Sequence, residues 1–217
     1  MPKRRRALLV GATGLVGAQL LERLLDETTY SSVTVWARRP LALRGPGRKV
    51  ETFDFEQLAS HKVEADHVFC CLGTTMKQAR SEPAFRRVDY DYPVALAKAA
   101  KRGGATRLLV VSALGANPAS RIFYNRVKGE MEAAVAAAGV PKTYFFRPSL
   151  LTGHRDTPRL GERVGQAVGF VLGPLLGRYR PIDAGLVAAA MLKAALGATR
   201  PGVIESEQIR ALATQSS

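Results

Sequence analysis

The stretch Ala7-Leu8-Leu9-Val10-Gly11-Ala12-Thr13-Gly14-Leu15-Val16-Gly17 passes from a short apolar run into glycines at every third position. It leads directly into Leu20-Leu21-Glu22-Arg23-Leu24-Leu25. That order spells a strand, a tight turn and an amphipathic helix. Small residues let the backbone approach a ligand closely, and the first amide hydrogens of the helix have no partner within it. Such a turn suits a dinucleotide pyrophosphate, which would sit on those amides along a favourable helix dipole. Gly11, Thr13, Gly14, Leu15, Val16 and Gly17 are therefore candidate cofactor-binding residues. The pattern departs from G-x-G-x-x-G, because Thr13 stands where the second glycine would be.

Outward from this turn, β-branched or aromatic runs recur at Val33 to Trp36, Val50 to Phe53, His67 to Leu72, Leu108 to Val111, Thr143 to Phe146 and, more weakly, Val203 to Glu205. Amphipathic stretches separate them, and the spacing predicts helices over Leu15 to Asp26, Glu82 to Arg102, Ser120 to Ala138 and Asp183 to Leu196. Gly103-Gly104 and Gly139 end two of these helices, because glycine accepts the left-handed cap conformation. The rhythm is βαβ, so the chain is an α/β protein with a parallel sheet covered by helices on both faces. At 217 residues it has room for one domain with a continuous core. Right-handed crossovers collect ligand chemistry at the carboxyl ends of the strands.

Thirty-two Lys and Arg against 18 Asp and Glu give a formal charge of +14, which favours anionic partners without choosing among them. The block Lys3-Arg4-Arg5-Arg6 reads first as a solvated tail, with targeting or nucleic-acid binding as rival readings. A charged start before Ala7 to Leu21 imitates a secretory signal, but the phased glycines and the charges of Glu22 and Arg23 favour the strand and helix. No uninterrupted apolar run approaches the ~20 residues needed to span a bilayer. Cys70 and Cys71, the only two cysteines, are adjacent in a strand-like run and would point to opposite faces. They imply no disulfide, no metal ligands lie near them, and a reducing cytoplasm is the expected compartment.

The end of the second strand speaks to cofactor choice. NAD-selective turns usually place a carboxylate about 20 residues downstream, on the ribose hydroxyl. Here Val33-Thr34-Val35-Trp36 runs into Ala37-Arg38-Arg39. Guanidinium groups at Arg38 and Arg39 suit a 2′-phosphate, so NADP(H) is expected over NAD(H). A surface arginine pair closing a strand is the plainer alternative.

Tyr124 and Lys128 lie four residues apart on a predicted helix, hence on one face, and Ser112 ends the preceding strand. A phenol ordinarily titrates near pH ~10, and a neighbouring ammonium with a charged nicotinamide stabilises its ionised form. Together they form a proton-transfer set. Tyr124 would protonate an alkoxide, Lys128 would hold the nicotinamide ribose and Ser112 would hydrogen-bond the substrate carbonyl.

This order of motifs resembles the atypical short-chain dehydrogenase/reductase superfamily, and within it the Tat-interacting-protein-like oxidoreductases. The similarity covers nearly the whole chain. It rests on Gly11 to Gly17, Ala37-Arg38-Arg39, Asp54-Phe55, Cys70 to Thr75, Val88-Asp89-Tyr90-Asp91-Tyr92, Tyr124 to Glu130 and Arg147 to Leu151. The resemblance implies a single Rossmann-type, doubly wound domain over residues 1–217 and NADPH as cofactor. It assigns Thr13 to Val16 to the pyrophosphate, Arg38 and Arg39 to the 2′-phosphate, and Asp54 and Phe55 to the adenine. Leu72, Gly73 and Thr74 fall beside the ribose, and Arg147, Pro148, Ser149 and Leu150 near the nicotinamide. Ser112, Tyr124 and Lys128 match the superfamily's catalytic set. Asp89 stands where many members carry Asn. The branch also contains proteins discussed as regulators, so an NADPH-binding regulatory or redox-sensing module is the alternative to a reductase.

Residues 150–182 form the expected substrate side. Thr152-Gly153-His154-Arg155-Asp156 precedes an apolar, glycine-rich stretch from Val164 to Gly177, flanked by Arg163, Arg178 and Arg180. Its character suggests a hydrophobic carbonyl or quinone-like small molecule; a lid, a contact in a homodimer or a membrane-surface patch reads identically. His154 reads first as a solvated loop residue. No metal is expected and nucleic acid ranks last, since neither a recognition helix nor an aromatic stacking motif stands out. A nucleotide-sugar epimerase is a further alternative, although the short segment after Leu151 leaves little chain for a sugar domain.

Overall fold

In the computed structural model, which describes residues 4–43, 45–153 and 179–215, the glycine turn joins strand β1 (Arg5–Val10) to helix α1 (Leu15–Asp26). The chain continues through β2 (Tyr30–Ala37), β3 (Arg48–Thr52) and a 3-10 turn (Phe55–Ala59) to β4 (His67–Cys70). Two short helices, α2 (Met76–Ala79) and α3 (Glu82–Arg86), lead to α4 (Tyr92–Arg102), β5 (Arg107–Val111), α5 (Phe123–Ala137) and β6 (Lys142–Arg147). Two-residue strands β7 (Leu151–Thr152) and β8 (Ile182–Asp183) pair with each other, before α6 (Ala184–Leu196), β9 (Gly202–Glu205) and α7 (Ser206–Thr214).

The main sheet runs β3-β2-β1-β4-β5-β6-β9, and every neighbouring pair is parallel. The winding reverses between β1 and β4. A crevice opens at the carboxyl ends of strands at such a point, and the glycine turn and the segment after Cys70 flank it.

Alternation along the strands divides the core into two layers. Ala7, Leu9, Val33, Val35, Phe69 and Leu109 face α1 and α6, meeting Val16, Leu20, Leu24, Val187 and Met191. Leu8, Val10, Trp36, Val68, Cys70, Leu108 and Val110 face α4 and α5, meeting Leu96, Ala100, Met131 and Val135. Burial of each larger side chain contributes roughly 1.5–3 kcal/mol. Cys70 joins the second layer while Cys71 packs against the first, the opposed placement expected of adjacent strand residues. Between β3 and β4 the crossover carries only the 3-10 turn. Trp36 there stacks on Phe53 at 4.1 Å, with His61 against both rings.

The helix expected over Glu82 to Arg102 is helical throughout but not regular. Residues Arg87–Asp91 form a wide π turn in which the Tyr92 N–H donates to the Arg87 carbonyl. Pro93 supplies the reason: it has no N–H to return to the carbonyl four residues back, so the ladder widens one residue early. The helix expected from Ser120 starts at Phe123, because the Ser120 hydroxyl accepts the Ile122 amide and holds the chain in a turn. Helix α7 was not expected from the sequence. Its N-cap is Glu205, joined in a reciprocal capping box with Gln208. Of the substrate-side segment, His154, Arg155, Asp156, Arg163, Val164 to Gly177 and Arg178 lie outside the described residues.

Candidate functional site

Gly11 leaves β1 with φ +90, and a Cβ there would lie 2.5 Å from the Cys71 carbonyl oxygen. A Cβ on Gly17 would collide with the Gly11 carbonyl. Both positions therefore demand glycine, one for its backbone angle and both for close approach. The Gly14 amide donates to Gly11 O at 3.1 Å, and Gly14, the N-cap of α1, offers no side chain to the first-turn amides. No acid lies in that turn, and Thr13 stands exposed beside it. Such an end accepts an anion.

Arg38 and Arg39 leave the end of β2 exposed, on the same edge of the sheet. Asp54 is exposed too, and its carboxylate accepts the Glu56 amide at 3.1 Å. Phe55 differs. Its ring is buried among Phe53 and Tyr92, so only its main chain can face a ligand.

The face of α5 carries Tyr124 and Lys128. The Tyr124 ring rests on Phe85 of α3, 5.6 Å between centroids, and stays 36% exposed at the cleft. Lys128 is buried one turn deeper. Its Nζ lies 2.7 Å from Asp89 Oδ1, and Asp89 Oδ2 accepts the Thr74 amide at 2.8 Å. Lys128 and Asp89 form a close, buried ion pair. Burial pushes the ammonium toward neutrality; the Asp89 charge, helped by Tyr124, outweighs it, and Lys128 is held charged with its pKa above the ordinary lysine value. A Cβ on exposed Gly73 would sit 3.6 Å from Asp89 Oδ1 and 4.0 Å from Lys128 Nζ, so glycine forms a thin floor over the pair. Gly73 thus borders Lys128, and the Thr74 amide is tied to its partner Asp89. Burial pushes the Cys70 thiol beneath them up to about 11 and Cys71 well above its usual value, which leaves both unionised at neutral pH.

Ser112 is engaged elsewhere. Its hydroxyl donates to Glu132 Oε1 at 2.5 Å, and both residues are buried. Arg147 grips the same carboxylate through Nε (3.0 Å) and Nη2 (2.6 Å), and reaches Glu205 through Nη1 at 3.0 Å. With its one proton given to Glu132, the Ser112 hydroxyl has only lone pairs left, and donation to a carbonyl requires release of Glu132. Glu132 was missed in the sequence, although it continues the spacing Tyr124, Lys128, Glu132 at four-residue steps along one helix face.

The segment after β6 divides likewise. Pro148 accepts the Leu114 amide, and Ser149 donates its hydroxyl to the Arg180 carbonyl while Ser206 donates to it. Leu150 is 58% exposed. Beside this segment a cavity of about 220 Å³ opens between Leu114, Asn117, Arg147, Tyr179 and Glu205. Among the described residues, no group of three metal-ligating side chains comes together and no helix is long and apolar enough to cross a membrane.

A family model described as NAD(P)H-binding matches residues 11–165. The chain is 34% identical over 223 residues to "Protein FMP52, mitochondrial" of Eremothecium gossypii, covering 96% of this chain and 97% of that one. It is 35% identical to "Protein HTATIP2" of Rattus norvegicus over 73% of this chain and 67% of that protein. The structure of MoeE5 in complex with UDP-glucose and NAD matches with a TM-score of 0.67 at 15% identity, over 96% of this chain and 80% of that one.

The fungal name corrects the cytoplasmic expectation and points to mitochondria. The sheet order, the glycine turn and these relatives agree, and the chain belongs to the NAD(P)H-binding Rossmann family as a homologue of HTATIP2.

Proposed function

We propose that the protein is an NADPH-dependent oxidoreductase of mitochondria, a single domain that reduces a carbonyl or quinone-like small molecule as a monomer or homodimer. The observation that carries this reading is the α5 face, where Tyr124 borders the cleft and Lys128 is held charged beneath it. Close-approach glycines and uncapped first-turn amides fit a dinucleotide. Arg38 and Arg39, with no acid at the end of β2, favour a 2′-phosphate. When bound, the cofactor supplies the hydride.

Lys128 holds the nicotinamide ribose, and Tyr124 Oη passes its proton to the oxygen of the reduced carbonyl. Ser112 orients that oxygen once its hydroxyl turns from Glu132. The engaged state of Ser112 favours a second reading, an NADPH-binding regulatory or redox-sensing module in which the set serves as a cofactor clamp.

The test is NADPH consumption against aldehydes, ketones and quinones, with wild type beside Tyr124→Phe. Turnover that falls about 10²-fold or more in the variant, with NADPH affinity kept, supports the reductase. A flat panel with intact NADPH binding moves the assignment to the regulatory module.

A further inference from the structure

Asp89 lies beside Lys128, the residue placed above at the nicotinamide ribose. It is fully buried on the π turn, anchored from one side by the Thr74 amide and facing Lys128 from the other. The charged and titratable groups around it are few. Lys128 comes from α5, Cys70 from β4 as a neutral thiol, and Tyr124 borders the ammonium from one helical turn away. Lys128 and Asp89 therefore sum to zero charge beneath Gly73, where a neutral residue at position 89 would leave an uncompensated cation.

The reduced and oxidised nicotinamides differ by one positive charge on the ring. A bare ammonium in a poorly solvated site repels the oxidised form and leaves the reduced one unaffected; a neutral pair removes that discrimination. We propose that Asp89 sets the redox preference of the bound dinucleotide, cancelling the Lys128 charge so that the oxidised cofactor is retained rather than expelled. This rests on the placement, proposed above, of the nicotinamide ribose at Lys128. It makes Asp89 a positioning residue with an electrostatic role, serving catalysis and nucleotide sensing alike.

Asp89→Asn is the informative variant, because an amide oxygen can still accept the Thr74 N–H while the charge is gone. The experiment measures dissociation constants of NADP+, NADPH and adenosine 2′,5′-bisphosphate for the wild type, Asp89→Asn and Asp89→Asn/Lys128→Met, with a thermal melt of each. The expected result is a ratio of NADP+ to NADPH dissociation constants that rises about tenfold in Asp89→Asn. It returns toward the wild-type ratio in the double variant, and the bisphosphate binds all three proteins equally.

An unchanged ratio in Asp89→Asn overturns the inference, as does a shift that persists in the double variant. Weaker binding of all three ligands in step, with a lowered melting temperature, reduces Asp89 to a structural part and also overturns it. A wild type that binds the bisphosphate but neither dinucleotide more tightly removes the nicotinamide placement itself, and that failure is distinct from a flat ratio.

Discussion

The glycine turn and the α5 face meet at the same crevice but are built by opposite means. At the turn the functional groups are main-chain amides, and the sequence contributes chiefly by leaving side chains out at Gly11, Gly14 and Gly17. On α5 the functional groups are side chains held by partners from elsewhere in the chain: Lys128 by Asp89, and Glu132 by Ser112 and Arg147. A site made of backbone has little tolerance for added atoms, whereas one made of side chains depends on satisfied charges. The two regions should therefore fail differently.

The largest effect is expected at the turn. Gly17→Val places a branched side chain against the Gly11 carbonyl and the Ala12 backbone, where neither neighbour can yield. The predicted cost is about 3 kcal/mol in urea denaturation, with dinucleotide binding lost in a fluorescence titration. Retained binding would show that the turn has slack and erase the contrast. On α5, Glu132→Gln keeps the volume but removes the carboxylate shared by Ser112 and Arg147. A loss of about 2 kcal/mol is expected, with the affinity for adenosine 2′,5′-bisphosphate unchanged. Damage to both would mean that the regions are one cooperative unit.

The smallest effect on stability is expected where neither mode operates. Arg38 and Arg39 are exposed, and Arg38→Ala/Arg39→Ala should leave the urea midpoint unchanged. It should weaken NADPH at least about tenfold more than NADH in paired titrations. Equal losses for the two cofactors would remove the 2′-phosphate assignment.

The same contrast explains what could be read from the residues. Local rules placed the strands of the main sheet and α1 to within a few residues, because alternation and glycine spacing are written into neighbouring positions. Tyr124 and Lys128 were legible through a four-residue interval on one helix. Their partners were not. Asp89 lies 39 positions before Lys128; the resemblance marks its position, but no local pattern pairs it with that lysine. Glu132 reads as an ordinary helix acid until Arg147 is brought across from β6. Ser149 and Phe55 show the reverse case, expected beside the crevice but with side chains turned into contacts that no local pattern announces.

The π turn before Pro93 has a consequence for how one stretch of chain serves two neighbours. One additional residue in a helical turn slips the phase of everything beyond it by about 100°. Phe85, ahead of the slip, is directed at Phe123 and Tyr124 on α5; Leu96 and Ala100, beyond it, are directed at the sheet. A regular helix from Glu82 to Arg102 would keep a single stripe and could satisfy only one of these surfaces. The wide turn works as a gear change, and Asp89 rides within it.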